Sequence, residues 1–228
     1  MVRIGMLLFP RLTLLDLIGP HQVFAGFHEA QISLIAASLE PVQSDSGVTI
    51  LPTDTFDDSG ELDVLFVPGG FGVNEAMEDD HLTTFLAERA QTAQWITSVC
   101  TGALVLGAAG LLRGYRATTH WRYLELLEPF GALPVDERVV IDRNRVTGGG
   151  VTAGIDFGLT LGQELFGAAA ARRVQLYLQY DPQPPAPGGT PRTSDPQTVA
   201  AVREESAANF ARRKAIVEGL TSSGAPTA

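Results

Sequence analysis

The chain has 228 residues, a formal charge of −10 and an isoelectric point near 4.8; this is enough for one α/β domain with a full core, with or without a tail, and too little for a second catalytic domain. The acidic balance opposes nonspecific attraction to nucleic acid or to an anionic membrane, because phosphate binding needs clustered Lys and Arg. The single cysteine, Cys100, rules out an internal disulfide and a zinc site of several thiolates, and it suits a reducing cytoplasm.

Residues 2–9 form an apolar run of strand length closed by Pro10, the pattern of a first parallel strand. The N-terminal stretch MLLFPRLTLLDLI is interrupted by Pro10, Arg11 and Asp16 and falls short of the ~20 apolar residues of a membrane span, so it reads as folded protein. Gly19-Pro20 predicts a helix opening there. Asp16 then lies in the preceding loop or at the helix start, at the carboxyl ends of the strands. An acid between Leu15 and Leu17 has two readings. It is either a partly buried group whose raised pKa suits proton exchange beside a thiol, or a helix cap or solvated loop acid.

Further strands are expected over residues 31–37 and 47–51, around the turn SDSG, and over 62–67, which ends in Pro68-Gly69-Gly70. That glycine turn either exposes oxyanion-type N–H donors from Gly69 and Gly70 or is simply a tight strand-to-helix turn. It lacks the Gly-rich Lys-Ser/Thr pattern of a phosphate loop, and GxGxxG is absent from the chain. A helix over residues 80–94, with Leu82, Phe85, Leu86 and Ala90 on one face, leads into the most informative segment.

In residues 95–112, WITSVCTGALVLGAAGLL, a short β-branched and aromatic run changes at Cys100 to good helix formers that are apolar nearly all round. Cys100 is therefore placed in a tight strand-to-helix turn, a nucleophile elbow, with Gly102 leaving room for crowded backbone. Unpaired N–H groups and the helix dipole predict a thiol pKa below the free value of about 8.5, hence a nucleophilic thiolate; the alternative is an inert core cysteine. Thr101 offers an N–H and a hydroxyl that either hold a substrate atom or water or serve as a routine helix start.

Beyond the elbow, RATTHW (116–121) predicts a short strand and a helix start, residues 123–130 a helix, and residues 139–141 with 145–147 a hairpin. Gly148-Gly149-Gly150, followed by Val151, precedes a helix over 152–166; these residues form a further pocket wall or a turn capped by Thr152. Helix continues over 172–180, a Pro/Gly-rich connector follows, and Asp195-Pro196 opens a final helix to about residue 220. Its stripe of Val199, Val202, Phe210 and Val217 is sparse, so the arm is expected to pack on its own core or on a partner subunit, with SSGAPTA frayed at the end. The chain divides at about residue 181, with 182–228 an appended arm of the same unit. Base candidates for the thiol are Asp16, His21, His28, His81 and His120. Of the histidines His120 stands out, as a catalytic partner or as a capping residue beside Trp121.

Together LLFP, LDLIGPH, VPGG, SVCTGALVLGAAGLL, RATTHW, TGGGVTAGIDF and ARRVQLYLQYDP resemble the ThiJ/PfpI superfamily of class I glutamine-amidotransferase-like proteins, over nearly the whole chain. The resemblance implies a flavodoxin-like α/β sandwich, a mostly parallel sheet with helices on both faces and a cysteine elbow. SVCTG and ATTHW also occur in related transcriptional regulators, which carry a DNA-binding domain that this chain has no room for. Protease-like members have His directly after the nucleophile. Thr101 departs from that, and Asp rather than Glu at position 16 matches the isocyanide-hydrating branch. The implied activity is hydration of an organic isocyanide to an N-substituted formamide through a Cys100 thioimidate. Asp16 moves the proton, Thr101 and the Gly69 and Gly70 amides orient the intermediate, and no metal or organic cofactor is needed. A homodimer is implied. The alternatives are a glyoxalase-type reaction and a non-enzymatic cysteine redox sensor.

Overall fold

The computed structural model describes residues 1–222. Strand β1 (Val2–Leu7) has its last four residues fully buried; it lacks a polar face because helices cover the sheet on both sides. The other strands are β2 (Ala30–Ala36), β3 (Val42–Gln43), β4 (Thr49–Ile50), β5 (Asp54–Thr55), β6 (Val64–Val67), β7 (Trp95–Val99), β8 (Arg116–Ala117), β9 (Leu133–Pro134), β10 (Val139–Asp142) and β11 (Arg145–Gly148). Seven of them make the central sheet in the order β10-β11-β7-β6-β1-β2-β5, parallel except for the β10–β11 hairpin at one edge. The pairs β3–β4 and β8–β9 form small separate ribbons.

Helices α1 (Leu14–Phe24), α5 (Ala153–Phe166) and α6 (Ala168–Tyr177) pack as one layer. The other layer contains α2 (Val73–Glu78), α3 (Asp80–Arg89), α4 (Gly102–Ala108), a 3₁₀ segment (Trp121–Phe130) and α8 (Ala207–Ser222), which follows α7 (Pro196–Glu205). This is the α/β sandwich expected from the sequence, with its main core between sheet and helices from Ile4 through Leu161 to Val217. Among the described residues no helix is long and apolar enough to cross a membrane.

Several element boundaries differ from the sequence expectation. Helix α1 begins at Leu14, and Pro20 sits inside it instead of opening it. Burial of Leu17, Val23 and Phe24 and packing on α5 outweigh the N–H that Pro20 lacks. Asp16 consequently occupies the first helical turn. The helix expected over 80–94 stops at Arg89, and α2, just before it, was not foreseen. Gly167, at φ +85, separates α5 from α6. The final helix is two helices divided at Ser206, whose hydroxyl donates to the carbonyls of Val202 (2.8 Å) and Arg203 (3.2 Å). Asp195 caps α7 by accepting the Thr198 N–H at 2.9 Å, as its sequence suggested. Of the SSGAPTA end, all but Ser222 lies outside the described residues.

Candidate active site

Val99 ends β7 and Gly102 begins α4, leaving two residues to reverse the chain. Cys100 takes φ +55, a left-handed conformation that costs a side-chain-bearing residue and persists only where its surroundings over-determine it. Here they do. The Cys100 N–H donates to the carbonyls of Gly148 (3.0 Å) and Gly149 (2.8 Å), and its own carbonyl accepts from the Thr119 hydroxyl at 2.7 Å. At Gly102 a Cβ would stand 2.2 Å from the Val67 carbonyl oxygen, so the close approach of turn and strand requires glycine.

Asp16 is fully buried. One carboxylate oxygen accepts the Gly69 N–H at 3.1 Å, while the other has no hydrogen-bond partner among the described residues. The Cys100 thiol lies close enough to act on this carboxyl's proton affinity. The α-carbon of Gly69 faces both groups: a Cβ there would lie 2.7 Å from Asp16 Oδ2, 2.8 Å from Cys100 Cβ and 2.6 Å from the Thr101 nitrogen. Burial pushes the Asp16 pKa up to about 7, against the opposing hydrogen bonds from Cys100 and Gly69. Of its two sequence readings, the solvated loop acid is thereby excluded.

The expectation of a low thiol pKa is not met. Burial and then the neighbouring Asp16 charge push the Cys100 thiol well above its ordinary value, outweighing the backbone N–H groups of Val151 and Thr101 that favour the thiolate. A helix terminus contributes about 0.3–1 kcal/mol, less than the desolvation of a buried charge. At neutral pH the thiol therefore carries its proton beside a carboxyl close to its own midpoint.

The glycine amides are placed differently from the sequence expectation as well. Gly69 gives its N–H to Asp16, and Gly70 gives its N–H to the Thr101 hydroxyl at 3.1 Å. Both are engaged with the protein, so the donors that face the sulfur are the amides of Thr101 and Val151. Val151 adopts φ +21 just before α5. Gly150 packs under His120, where a Cβ would lie 2.7 Å from the imidazole Cδ2, and Thr152 makes no side-chain cap.

His120 Nδ1 accepts the Arg122 N–H at 3.2 Å and caps the 3₁₀ segment. Burial first, then the charges of Arg213 and Arg122, push its pKa down to about 4, so the ring is neutral with its proton on Nε2. It still lines the cavity at Cys100, whereas His21, His28 and His81 do not.

That cavity measures about 470 Å³. Cys100, Thr101, Gly70 and Val151 form its floor, and Phe71, His120 and Tyr123 its sides. Thr13, Asp45 and the C-terminal arm complete the lining, the arm with Val202, Glu205, Ser206, Asn209 and Arg213. Sequence reasoning assigned these residues no role at the site. For Arg213 a signal existed, because it falls at three- and four-residue spacing between Phe210 and Val217, on the buried side of α8.

A sequence profile of the DJ-1/PfpI family matches residues 2–164. A Pseudomonas putida protein named isonitrile hydratase is 50% identical over 217 residues, 95% of either chain. The HTH-type transcriptional regulator GbdR of Pseudomonas aeruginosa is 35% identical over 143 residues, 60% of this chain and 38% of that protein. Among solved structures, a ThiJ/PfpI family protein from Pseudomonas syringae superposes with a TM-score of 0.93 at 45% identity, over 95% of this chain and 90% of that one.

Proposed function

Because the chain belongs to the DJ-1/PfpI family, we propose that its Cys100 cavity hydrates organic isocyanides to N-substituted formamides, as a hydro-lyase. The observation that carries this reading is the 50% identity to the Pseudomonas putida isonitrile hydratase along 95% of both chains, the C-terminal arm included. The geometry supports it, since Cys100 lines the cavity and the buried Asp16 carboxyl, with a pKa near 7, stands against it beneath that lining.

The chemistry needs one nucleophile and one mobile proton. In the first step Sγ of Cys100 bonds to the terminal carbon of R–N≡C, and the proton held by the Cys100–Asp16 pair moves to that carbon, giving the thioimidate R–N=CH–S–Cys100. In the second, water adds to the same carbon while Asp16 takes its proton and the nitrogen gains one. The C–S bond then breaks, sulfur recovers a proton and R–NH–CHO leaves. A carboxyl titrating near neutrality suits both directions of transfer. The Thr101 and Val151 amides stabilise negative charge on sulfur as it departs or attacks, and the Thr101 hydroxyl holds the Gly70 amide in place. Neutral His120 bounds the substrate space without serving as the base. A redox-sensor role fits less well, because sensor cysteines are exposed and of low pKa, whereas Cys100 is 6% exposed.

The reading extends to a cytoplasmic homodimer that acts on a small molecule and binds neither nucleic acid nor membrane, with residues 182–228 part of the same unit as 1–181. It draws support from the single cysteine, the net charge of −10 and the apolar Leu176 and Tyr177 exposed on α6. Sedimentation as a monomer at working concentration is the result that removes the dimer. Turnover of an aryl and an alkyl isocyanide by wild type and by Cys100→Ala, with formamide detection, tests the activity. Formamide from the wild type alone supports it, and its absence from both across several isocyanides overturns it.

A further inference from the structure

Arg213 is 1% exposed, and burying an ion is costly unless an opposite charge accompanies it. Its guanidinium donates through Nε to the Asn74 side-chain oxygen at 2.7 Å and through Nη2 to the Gly70 carbonyl at 3.0 Å. It lies over the Tyr123 ring, 4.4 Å from the centroid. All three partners are neutral. Among the described residues Arg213 joins no ion pair, and its second terminal nitrogen makes no hydrogen bond. The nearby Glu75 is paired with Arg212 at 2.8 Å. An arginine cannot shed its charge in a protein interior, so the cation must be balanced by something else.

The cavity that Arg213 lines is the one that holds Cys100. The side chain is placed there by a network across three elements. Asn74 of α2 accepts from Arg213 and donates to Asn209 of α8 at 3.3 Å, and Asn209 donates to the Tyr123 hydroxyl at 3.1 Å. Arg122 reinforces this packing by donating to Ser206 at 3.0 Å and covering the Phe210 ring at 3.8 Å. The residue therefore comes from a helix outside the 2–164 span matched by the family profile, yet it lines the same cavity as the family's elbow cysteine.

We infer that Arg213 is a positioning residue of the Cys100 site: the fixed positive charge that α8 inserts into the cavity to balance the negative charge of the thiol–carboxyl pair and to favour the attacking thiolate. The groups facing Cys100 are consistent with that need. Asp16 opposes thiolate formation from α1. Asp45 and Glu205 are the acids that line the cavity, His120 is neutral, and Arg213 is the one cation lining it among the described residues. The inference rests on Cys100 acting as a nucleophile, whichever substrate it attacks.

Cys100 is the sole cysteine, so alkylation by iodoacetamide reports on it alone. The rate is to be followed from pH 5 to 10 in wild type, Arg213→Met, Arg213→Lys and Asn74→Asp, with near-ultraviolet dichroism to check the fold. Arg213→Met is expected to slow alkylation about tenfold at every pH below the thiol's midpoint. Arg213→Lys is expected to restore most of the rate. Asn74→Asp pairs the guanidinium with a carboxylate and is expected to slow alkylation as Arg213→Met does. Should Arg213→Met not fold, Asn74→Asp decides the question. A folded Arg213→Met or Asn74→Asp with the wild-type profile overturns the inference, as does an Arg213→Lys profile matching that of a folded Arg213→Met. Absence of isocyanide turnover in wild type, with the alkylation differences intact, would count against the hydratase reading and not against this one.

Discussion

The two walls of the Cys100 cavity are built from different materials. The inner wall, with Gly70, Thr101 and Val151 beside Cys100, is mostly backbone held at the carboxyl ends of the strands and backed by the buried Asp16 and Gly69, where a single added methyl would collide with Asp16, Cys100 and Thr101. The outer wall is made of side chains from α7 and α8, several of them at the surface. Backbone clamped by a parallel sheet cannot shift without disrupting the strands, which suits chemistry that depends on sub-ångström placement. Helical side chains can vary in size without disturbing the sheet, which suits selection among substrates. The inner wall should therefore govern the rate and the outer wall the choice of substrate, with Arg213 the one place where the outer wall reaches inward.

The strongest test of that division is Cys100→Ala, expected to lower formamide production by about 10³-fold or more with the fold retained; measurable turnover near the wild-type rate would end the nucleophilic scheme. Next comes Asp16→Asn, expected to lower kcat/KM by about 10²–10⁴-fold and to remove the limb of the pH profile near 7. An unchanged profile would remove Asp16 from the mechanism.

Asp16 also makes a prediction about stability. Its pKa in the folded state is about 7, raised by burial above an ordinary carboxylate's. The folded state thus binds the proton more tightly than the unfolded chain, and stability falls as pH rises from about 4 through 7. Asp16→Asn should flatten that fall, by an amount on the order of 4 kcal/mol at most, read from denaturant midpoints at pH 5 and pH 8. A variant whose stability fell with pH as steeply as the wild type's would show that the carboxyl is not the buried titrating group.

Gly69→Ala is expected to lower kcat about tenfold to a hundredfold and to cost about 1–3 kcal/mol of stability, because the new Cβ meets backbone at Thr101 as well as Asp16. The smallest effect should come from the outer wall. Val202→Phe is expected to raise KM several-fold for bulky isocyanides while leaving kcat for a small one within about twofold. If Val202→Phe lowered kcat for small isocyanides as much as Gly69→Ala does, the contrast between the walls would be lost.

The elbow was legible because its signal is local. A β-branched run turning into helix formers at Cys100 sets period and propensity within one short window, and the structure places β7, the turn and α4 there. The apolar first strand, the Pro-Gly-Gly turn and the Asp195 cap were legible for the same reason. Asp16 was recognisable as unusual, and its place in the preceding loop or at the helix start stayed open until burial set the start of α1 at Leu14, ahead of Pro20. The thiol's behaviour was misjudged in sign. The helix dipole can be seen in one segment, whereas desolvation sums over neighbours contributed by α1, β11 and α8.

What the amino-acid sequence by itself determined is the succession of elements, the α/β class and the residue at the centre of the site, since these depend on side chains near one another along the chain. Tertiary structure alone decided which amides face the sulfur, that Gly69 and Gly70 spend theirs on Asp16 and Thr101, and that an arginine 113 positions beyond the cysteine lines the same cavity. Those outcomes depend on distances between segments far apart in sequence. Only the pairing of strands and the packing of α8 against α2 and the 3₁₀ segment bring them together.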